Sequence, residues 1–177
     1  IAIGYYSLYN VLNGANNIGI GFRALYSNLA DYNVAIGYYS MNSNTTGDKN
    51  VAIGYYTMTD NTTGYNNTAI GYAAYENGTN GYSNTAIGTN ALATITSGAG
   101  NTAIGVDAAK STTGYSNTAL GISALANNTS GTRIVAIGDF TGGTEINNSY
   151  CTFIGSAAST NSVGPYNYSS AFGYSST

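Results

Sequence analysis

Few side chains in this sequence could act as acids, bases, nucleophiles or metal ligands. Histidine is absent, and there is one cysteine, Cys151. The acidic residues are scattered along the chain: Asp31, Asp48, Asp60, Glu76, Asp107, Asp139 and Glu145. Acid–base catalysis, nucleophilic catalysis and zinc binding each need several such groups close together. We therefore predict that the chain is not an enzyme and has no catalytic, cofactor-binding or metal site.

Charge and hydropathy exclude two further classes of partner. Only 6% of the residues are charged, and the four cations are Arg23, Lys49, Lys110 and Arg133, with no cluster among them. Phosphate backbones are bound by clustered Lys and Arg, so we expect no nucleic acid as a partner. No stretch approaches the roughly 18 apolar residues that span a bilayer, so we expect no membrane span in this segment.

Tyrosine is the most informative side chain, with 18 copies. Many of them recur at regular spacing and form a candidate exposed contact strip: Tyr5, Tyr6, Tyr38, Tyr39, Tyr55, Tyr56, Tyr65, Tyr72, Tyr82 and Tyr115. Stacked aromatic rings stabilise repetitive β-structures, and this structural interpretation is one alternative. The other is a flat aromatic strip that contacts sugars or surfaces.

Asn-x-Ser/Thr sequons are a second candidate feature. Those at the predicted turns make Asn44, Asn61, Asn77 and Asn128 candidate glycosylation sites. The same Asn-Thr-Thr-Gly segments are also ordinary turn sequences, which is the alternative interpretation.

A repeat that covers the whole chain must position all of these side chains. NTAIG occurs at 67–71, 84–88 and 101–105, and its variants recur at spacings of 16–18 residues. The glycine that ends each copy is here called the reference glycine: Gly4, Gly21, Gly37, Gly54, Gly71, Gly88, Gly105, Gly121, Gly138, Gly155 and Gly173. So short and regular a period predicts a solenoid, whose coils bury a core only by stacking. We predict one continuous solenoid over residues 1–177, either a segment of a longer fibre or a subunit that stacks into a filament.

Columns of the repeat predict what each position does. Apolar residues, mostly Ile, precede the reference glycine, and β-branched residues stand two positions earlier, an alternation that indicates a β-strand. We expect the Ile column to form the core, so that Ile70→Asp would unfold or disassemble the rod. The Thr column (Thr68, Thr85, Thr102 and Thr118) shares that face and should also be buried. A second apolar column, four residues after the reference glycine, predicts a second strand in each coil.

An Asn column opens the strands: Asn17, Asn33, Asn50, Asn67, Asn84, Asn101 and Asn117. In parallel coils about 4.8 Å apart, equivalent amides can hydrogen-bond from coil to coil, which predicts a ladder. Ligand binding by these amides is the alternative.

The NTAIG, NVAIG and DKNVAIG (48–54) strand openings resemble the SVAIG head repeats of trimeric autotransporter adhesins, the YadA-like head, and related repeats in phage and viral tail fibres. The resemblance spans nearly the whole chain, although the period is longer here. It implies a left-handed parallel β-roll, three chains side by side and an extracellular adhesive fibre. The predicted fold is thus an all-β parallel β-solenoid of about ten coils of 16–18 residues, with two short strands in each.

The function that we expect is a structural and adhesive fibre segment in a cell-surface appendage or a virion fibre. Its partners would be further copies of itself, as a trimer or a filament, and host surfaces or glycans. The alternative is a solenoid that binds carbohydrate or ice through its Tyr or Thr arrays. Thermal hysteresis or glycan binding by the isolated segment would favour that alternative.

Overall fold

The computed structural model describes residues 1–11, 14–142, 149–159 and 168–176. In these ranges, eleven short parallel strands lie side by side in one sheet, in chain order. The strands are β1 (Ala2–Ile3), β2 (Ile18–Ile20), β3 (Val34–Ile36), β4 (Val51–Ile53), β5 (Thr68–Ile70), β6 (Thr85–Ile87), β7 (Thr102–Ile104), β8 (Thr118–Leu120), β9 (Val135–Ile137), β10 (Thr152–Ile154) and β11 (Ser170–Phe172). The predicted all-β parallel solenoid is confirmed. The described part of the chain contains no helix long and apolar enough to cross a membrane.

Residues that stand at the same distance from successive reference glycines pair with each other in the sheet. In β5 and β6, for example, Thr68 pairs with Thr85 and Ile70 pairs with Ile87. Each residue therefore lies against its counterpart one repeat later, and a column of the sequence becomes a column of side chains along the rod.

The two faces of the strands are the reverse of those predicted. The middle residue points into the coil, and Ala69 and Ala86 are fully buried. The Ile column points outward, where Ile70 is 37% exposed, and the Thr column shares that outward face. The predictions that both columns are buried are therefore wrong. The coil interior leaves little space at this position: at Gly19, which replaces Ala in β2, an added Cβ would lie 2.6 Å from Ser7 Oγ and 3.1 Å from Leu8 Cγ.

The second apolar column forms core but not a strand. Its members include the fully buried Leu25, Met41 and Met58. Their φ angles are 53°, 50° and 52°, in the left-handed region. Positive φ also occurs two positions before each methionine, at Tyr39 and Tyr56. Because every second residue of this segment is in the left-handed conformation, the chain turns there and does not extend as a strand. The prediction of two strands in each coil is therefore wrong, since each coil in the described ranges has one. Hydrogen bonds between coils continue through the turns, as from Met41 N to Thr57 O at 3.0 Å.

The predicted Asn ladder is confirmed, and its bonds involve the backbone as well as the amides. The Oδ1 atom of Asn67 accepts a hydrogen bond from the backbone N of Asn84 at 2.9 Å. The Nδ2 atom of Asn67 donates to the carbonyl of Gly81, a turn glycine, at 2.8 Å. The side chain is buried, so these bonds satisfy polar groups that no water reaches. The ligand-binding alternative is not supported, because the amides face the interior.

A second buried ladder, absent from the sequence predictions, lies seven residues after the reference glycine. Asn61 Nδ2 donates to Asn44 Oδ1 at 2.7 Å, and Asn44 Nδ2 donates to Asn28 Oδ1. Gly78 interrupts this column, and an added Cβ at Gly78 would overlap the ring of Tyr75. The Tyr75 ring thus takes the space of the missing amide, and Asn61 Oδ1 is left buried without a hydrogen-bond donor. Burial raises the pKa of Tyr75 to about 12, and the hydrogen bond from Asn84 opposes this shift.

Phe153 and Gly142 form a similar compensating pair. Phe153 replaces the usual inward Ala in β10 and is fully buried. Gly142 replaces the usual large residue of the second apolar column, and a Cβ there would lie 2.9 Å from Leu125 Cδ2 and 3.1 Å from the Phe153 ring. A large side chain at one inward position is accommodated by a glycine at the other, so the coil interior has a fixed volume.

We predict that Tyr75 and Gly78 are strongly coupled. Gly78→Asn alone should collide with the ring, and Tyr75→Met alone should leave a cavity, so that each destabilises the rod by about 2–4 kcal/mol. The double variant recreates the Met58 and Asn61 pair of the preceding coil and supplies a donor to Asn61 Oδ1. Urea unfolding should give a coupling free energy of at least about 1 kcal/mol in favour of the pair. Additive losses would contradict this account.

Candidate functional site

The candidate site is the outward face of the sheet together with the aromatic columns beside it. Most strands contribute a β-branched residue and an Ile to this face, and Ile104, for example, is 41% exposed. At about 4.8 Å for each coil, eleven rows extend about 50 Å along the rod. The strand residues on this face carry no charge. It is therefore a long and uncharged surface with a regular row spacing.

A ladder of stacked rings follows directly after the reference glycines. Ring centroids lie 5.2 Å apart for Phe22 and Tyr38, 4.9 Å apart for Tyr38 and Tyr55, and 5.7 Å apart for Tyr55 and Tyr72. The interplanar angles of these three pairs are 15°, 8° and 7°. Tyr5 begins the ladder by stacking on Phe22. The stacking prediction is confirmed, and the outer edges of the rings stay open to solvent, with Tyr72 55% exposed.

The next column, Tyr6, Tyr39 and Tyr56, is half-buried behind this ladder. Arg23 takes the place of a tyrosine in the column. Its guanidinium carbon lies 5.5 Å from the ring centroid of Tyr39 and 4.9 Å from that of Tyr26. Cation–π contacts of this kind hold the cation among the rings. The aromatic cluster at the amino-terminal coils therefore includes Phe22, Arg23 and Tyr26, which the sequence prediction omitted.

The turn tyrosines form a separate group. Tyr65 and Tyr82 stack with centroids 5.1 Å apart and an interplanar angle of 3°. Tyr115 occupies the same column and is exposed. Among the described residues, no ring contact joins these three to the rings that follow the reference glycines. The ten predicted tyrosines thus form two columned groups on either side of the strand segment, and not one strip.

Three of the four candidate glycosylation sites are inside the rod. Asn44, Asn61 and Asn128 are fully buried, and the amide nitrogens of all three donate hydrogen bonds within the rod. A glycan on these nitrogens is incompatible with the folded coil, so that prediction is wrong for these residues. Asn77 is exposed and remains a candidate.

Carboxylates and the cysteine do not form a cluster in the described ranges. No three of His, Cys, Asp and Glu there come together as a metal site, and Glu145 lies outside those ranges. Cys151 is buried, with Sγ 3.3 Å from the carbonyl oxygen of Ser149. In the part of the chain that the structure describes, two ion pairs lie at the surface, Lys49 with Asp48 and Lys110 with Asp107.

No protein-family model, curated protein or solved structure matches this chain. The resemblance to YadA-like heads and tail-fibre repeats therefore stays a prediction from the residues.

Proposed function

We propose that this chain is a structural and adhesive segment of an extracellular fibre, in a cell-surface appendage or a virion fibre. Copies of the chain associate side by side through the outward face of the sheet. The observation that supports this proposal is the Ile column, which the fold turns outward as a continuous apolar row. Large contiguous apolar patches on soluble proteins mark interaction surfaces.

The composition of the face suits a second copy of the same chain. Its Ile, Val and Thr side chains are uncharged, and the centres of protein interfaces are depleted of charge. Because every coil repeats the same rows at the same spacing, the rows of one rod can pack between those of another. Rotational symmetry closes such contacts into a ring, and the resemblance to YadA-like heads implies three chains.

The test is the substitution Ile70→Asp, for which the structure reverses the expectation from sequence. Because Ile70 points outward, its replacement should leave the coil folded, with a change in unfolding free energy of about 1 kcal/mol or less. It should, however, place a charge in the middle of the proposed interface. We expect the molar mass from light scattering to fall from that of an oligomer to that of a monomer, with an unchanged far-ultraviolet circular dichroism spectrum.

Asn80→Asp is the matched control, because it adds the same charge at an exposed turn position away from the strands. This variant should keep the wild-type molar mass. A wild-type chain that is monomeric at all concentrations, or an Ile70→Asp chain that remains oligomeric, would refute side-by-side association through this face.

A second candidate function is ice or carbohydrate binding, and one observation favours it. Thr68, Thr85, Thr102 and Thr118 lie in register on the outward face, contrary to the expectation that they are buried. A regular hydroxyl array on a flat sheet could order water, but the same face cannot at once be covered by another copy. Thermal hysteresis by a monomeric chain would favour this candidate, and an oligomer without hysteresis would count against it.

A further inference from the structure

A surface cavity of about 580 Å³ lies on the carboxyl-terminal half of the rod, away from the strands. Three successive coils line it. Asp107, Ser123 and Phe140 occupy the second position after their reference glycines, while Lys110 and Ala126 occupy the fifth position. The cavity volume is within the range of about 300–1,000 Å³ that is usual for small-molecule sites.

Side-chain size explains why the groove is open at these coils. In the amino-terminal coils the second position carries Tyr6, Arg23, Tyr39 and Tyr56, and the fifth carries Tyr9 and Tyr26. These large groups pack against one another, as Tyr9 does on Tyr26 with centroids 5.6 Å apart. In the carboxyl-terminal coils, Ser123 and Ala126 are too small to fill the same groove, which therefore stays open.

The polar wall of the cavity offers both hydrogen-bond donors and acceptors. Lys110 Nζ lies 3.2 Å from Asp107 Oδ1, and Asn90 Nδ2 donates to the same oxygen at 3.0 Å. The Asn90 hydrogen bond, followed by smaller effects of Lys110, lowers the pKa of the Asp107 carboxyl, against partial desolvation that raises it. The wall therefore contains an ionised pair with no net charge, which favours a ligand that is itself uncharged. Ser123 and Asn127 add groups that both donate and accept.

The aromatic wall is Phe140, whose side chain is 62% exposed. In the described ranges, no aromatic ring stacks on it. At about 4.8 Å for each coil, Asp107 and Phe140 are separated by about 10 Å along the rod, since they are two coils apart. With a flat apolar surface at one end and polar groups at the other, the cavity is large enough to hold a sugar ring.

We propose that this cavity binds a neutral pyranose, with the C–H face of the sugar against Phe140 and its hydroxyls toward Asp107, Lys110 and Asn127. A pyranose has one apolar face and a rim of hydroxyls that donate and accept, which matches both walls. This site deepens the adhesive part of the proposed function and rests on it. It does not depend on side-by-side association, because residues of one chain line the whole cavity.

The test uses the complete chain and three probes: the methyl glycosides of glucose, galactose and mannose. Saturation-transfer NMR should detect at least one of them at millimolar concentration, with the strongest transfer to the ring C–H protons. Phe140→Ala should weaken that binding at least tenfold. Ala126→Tyr should abolish it, because a ring there fills the cavity, and the rod should tolerate the ring as it does Tyr9 and Tyr26 at the equivalent positions.

Tyr174→Ala is the matched control, since it removes an exposed ring outside the cavity and outside the candidate contact strip, and it should leave binding unchanged. Sialic acid and glucosamine serve as charged comparators. No binding of any neutral probe, binding of the charged sugars alone, or binding that survives Ala126→Tyr would overturn the proposal. Light scattering on the same samples reports self-association separately, so failure of the sugar site and failure of the fibre interface are distinguishable.

Discussion

Gly71→Ala is expected to destabilise the rod by about 3–5 kcal/mol, although it adds only one methyl group. Gly71 has a φ of +136°, a conformation that L-amino acids with a side chain rarely adopt. An added Cβ would also lie 2.6 Å from the carbonyl oxygen of Gly88 in the next coil. The coils cannot move apart to relieve this contact, because hydrogen bonds such as that from Gly71 N to Ile53 O, 2.8 Å long, fix their spacing. The substitution therefore combines backbone strain with a collision.

Gly100→Ser is the matched control for this prediction. Gly100 also has a positive φ, +67°, but the nearest atom to an added Cβ is 3.6 Å away. Other coils hold Ser83 and Ser116 at the equivalent position, with φ angles of 55° and 57°. We expect this change to cost about 1–2 kcal/mol, the backbone term alone. Urea unfolding followed by circular dichroism would separate the two variants, and equal losses would show that the contact with Gly88 is not the cause.

The period of the sequence predicted most of the architecture. Because each coil rests on the one before, equal spacing of NTAIG copies leads directly to stacked columns, including the Asn ladder and the tyrosine stack. Residue size and β-propensity, however, led to the wrong prediction of which strand face is buried. Ile70 is larger and more apolar than Ala69, which predicts an inward Ile, yet the inward position holds Ala in most coils and a large side chain only where a glycine makes room, as Gly142 does for Phe153.

A pattern in the sequence could have identified the interior. The Ala column varies little in size, and its large member, Phe153, coincides with Gly142 in the second apolar column. Such compensation is expected only between two positions that share an enclosed volume. No other column changes in size to compensate for changes in the Ile column, which is expected for side chains that face solvent.

Other features had no sequence signal of this kind. Leucine and methionine seldom adopt the left-handed conformation, so nothing about Met41 or Met58 indicated a turn in place of a strand. The cavity arises because side chains at Ser123 and Ala126 are small, and a missing volume is visible only when neighbouring coils are placed together. Asp107 and Lys110 were treated as scattered charges for the same reason.

Asn84→Leu is expected to cost at least about 3 kcal/mol, through lost hydrogen bonds and not through lost packing. The Nδ2 atom of Asn84 donates to the carbonyl of Gly98 at 2.8 Å and to the hydroxyl of Tyr75 at 3.1 Å. Its Oδ1 atom accepts from the backbone N of Asn101 at 3.0 Å. Leucine makes none of these bonds, and each buried polar group left without a partner costs about 1–3 kcal/mol.

The consequence for the rod is local, because a solenoid is held together by successive contacts between neighbouring coils. Hydrogen exchange should lose protection at the amides of the coils on either side of Asn84, while those near Asn33 keep theirs. Asn77→Leu, the same change at an exposed position, should alter the unfolding free energy by about 0.5 kcal/mol or less. Exchange that accelerates equally along the whole chain would contradict a stack of separable coils and indicate a single cooperative unit. Protection retained around Asn84 would mean that the amide ladder contributes little to joining the coils.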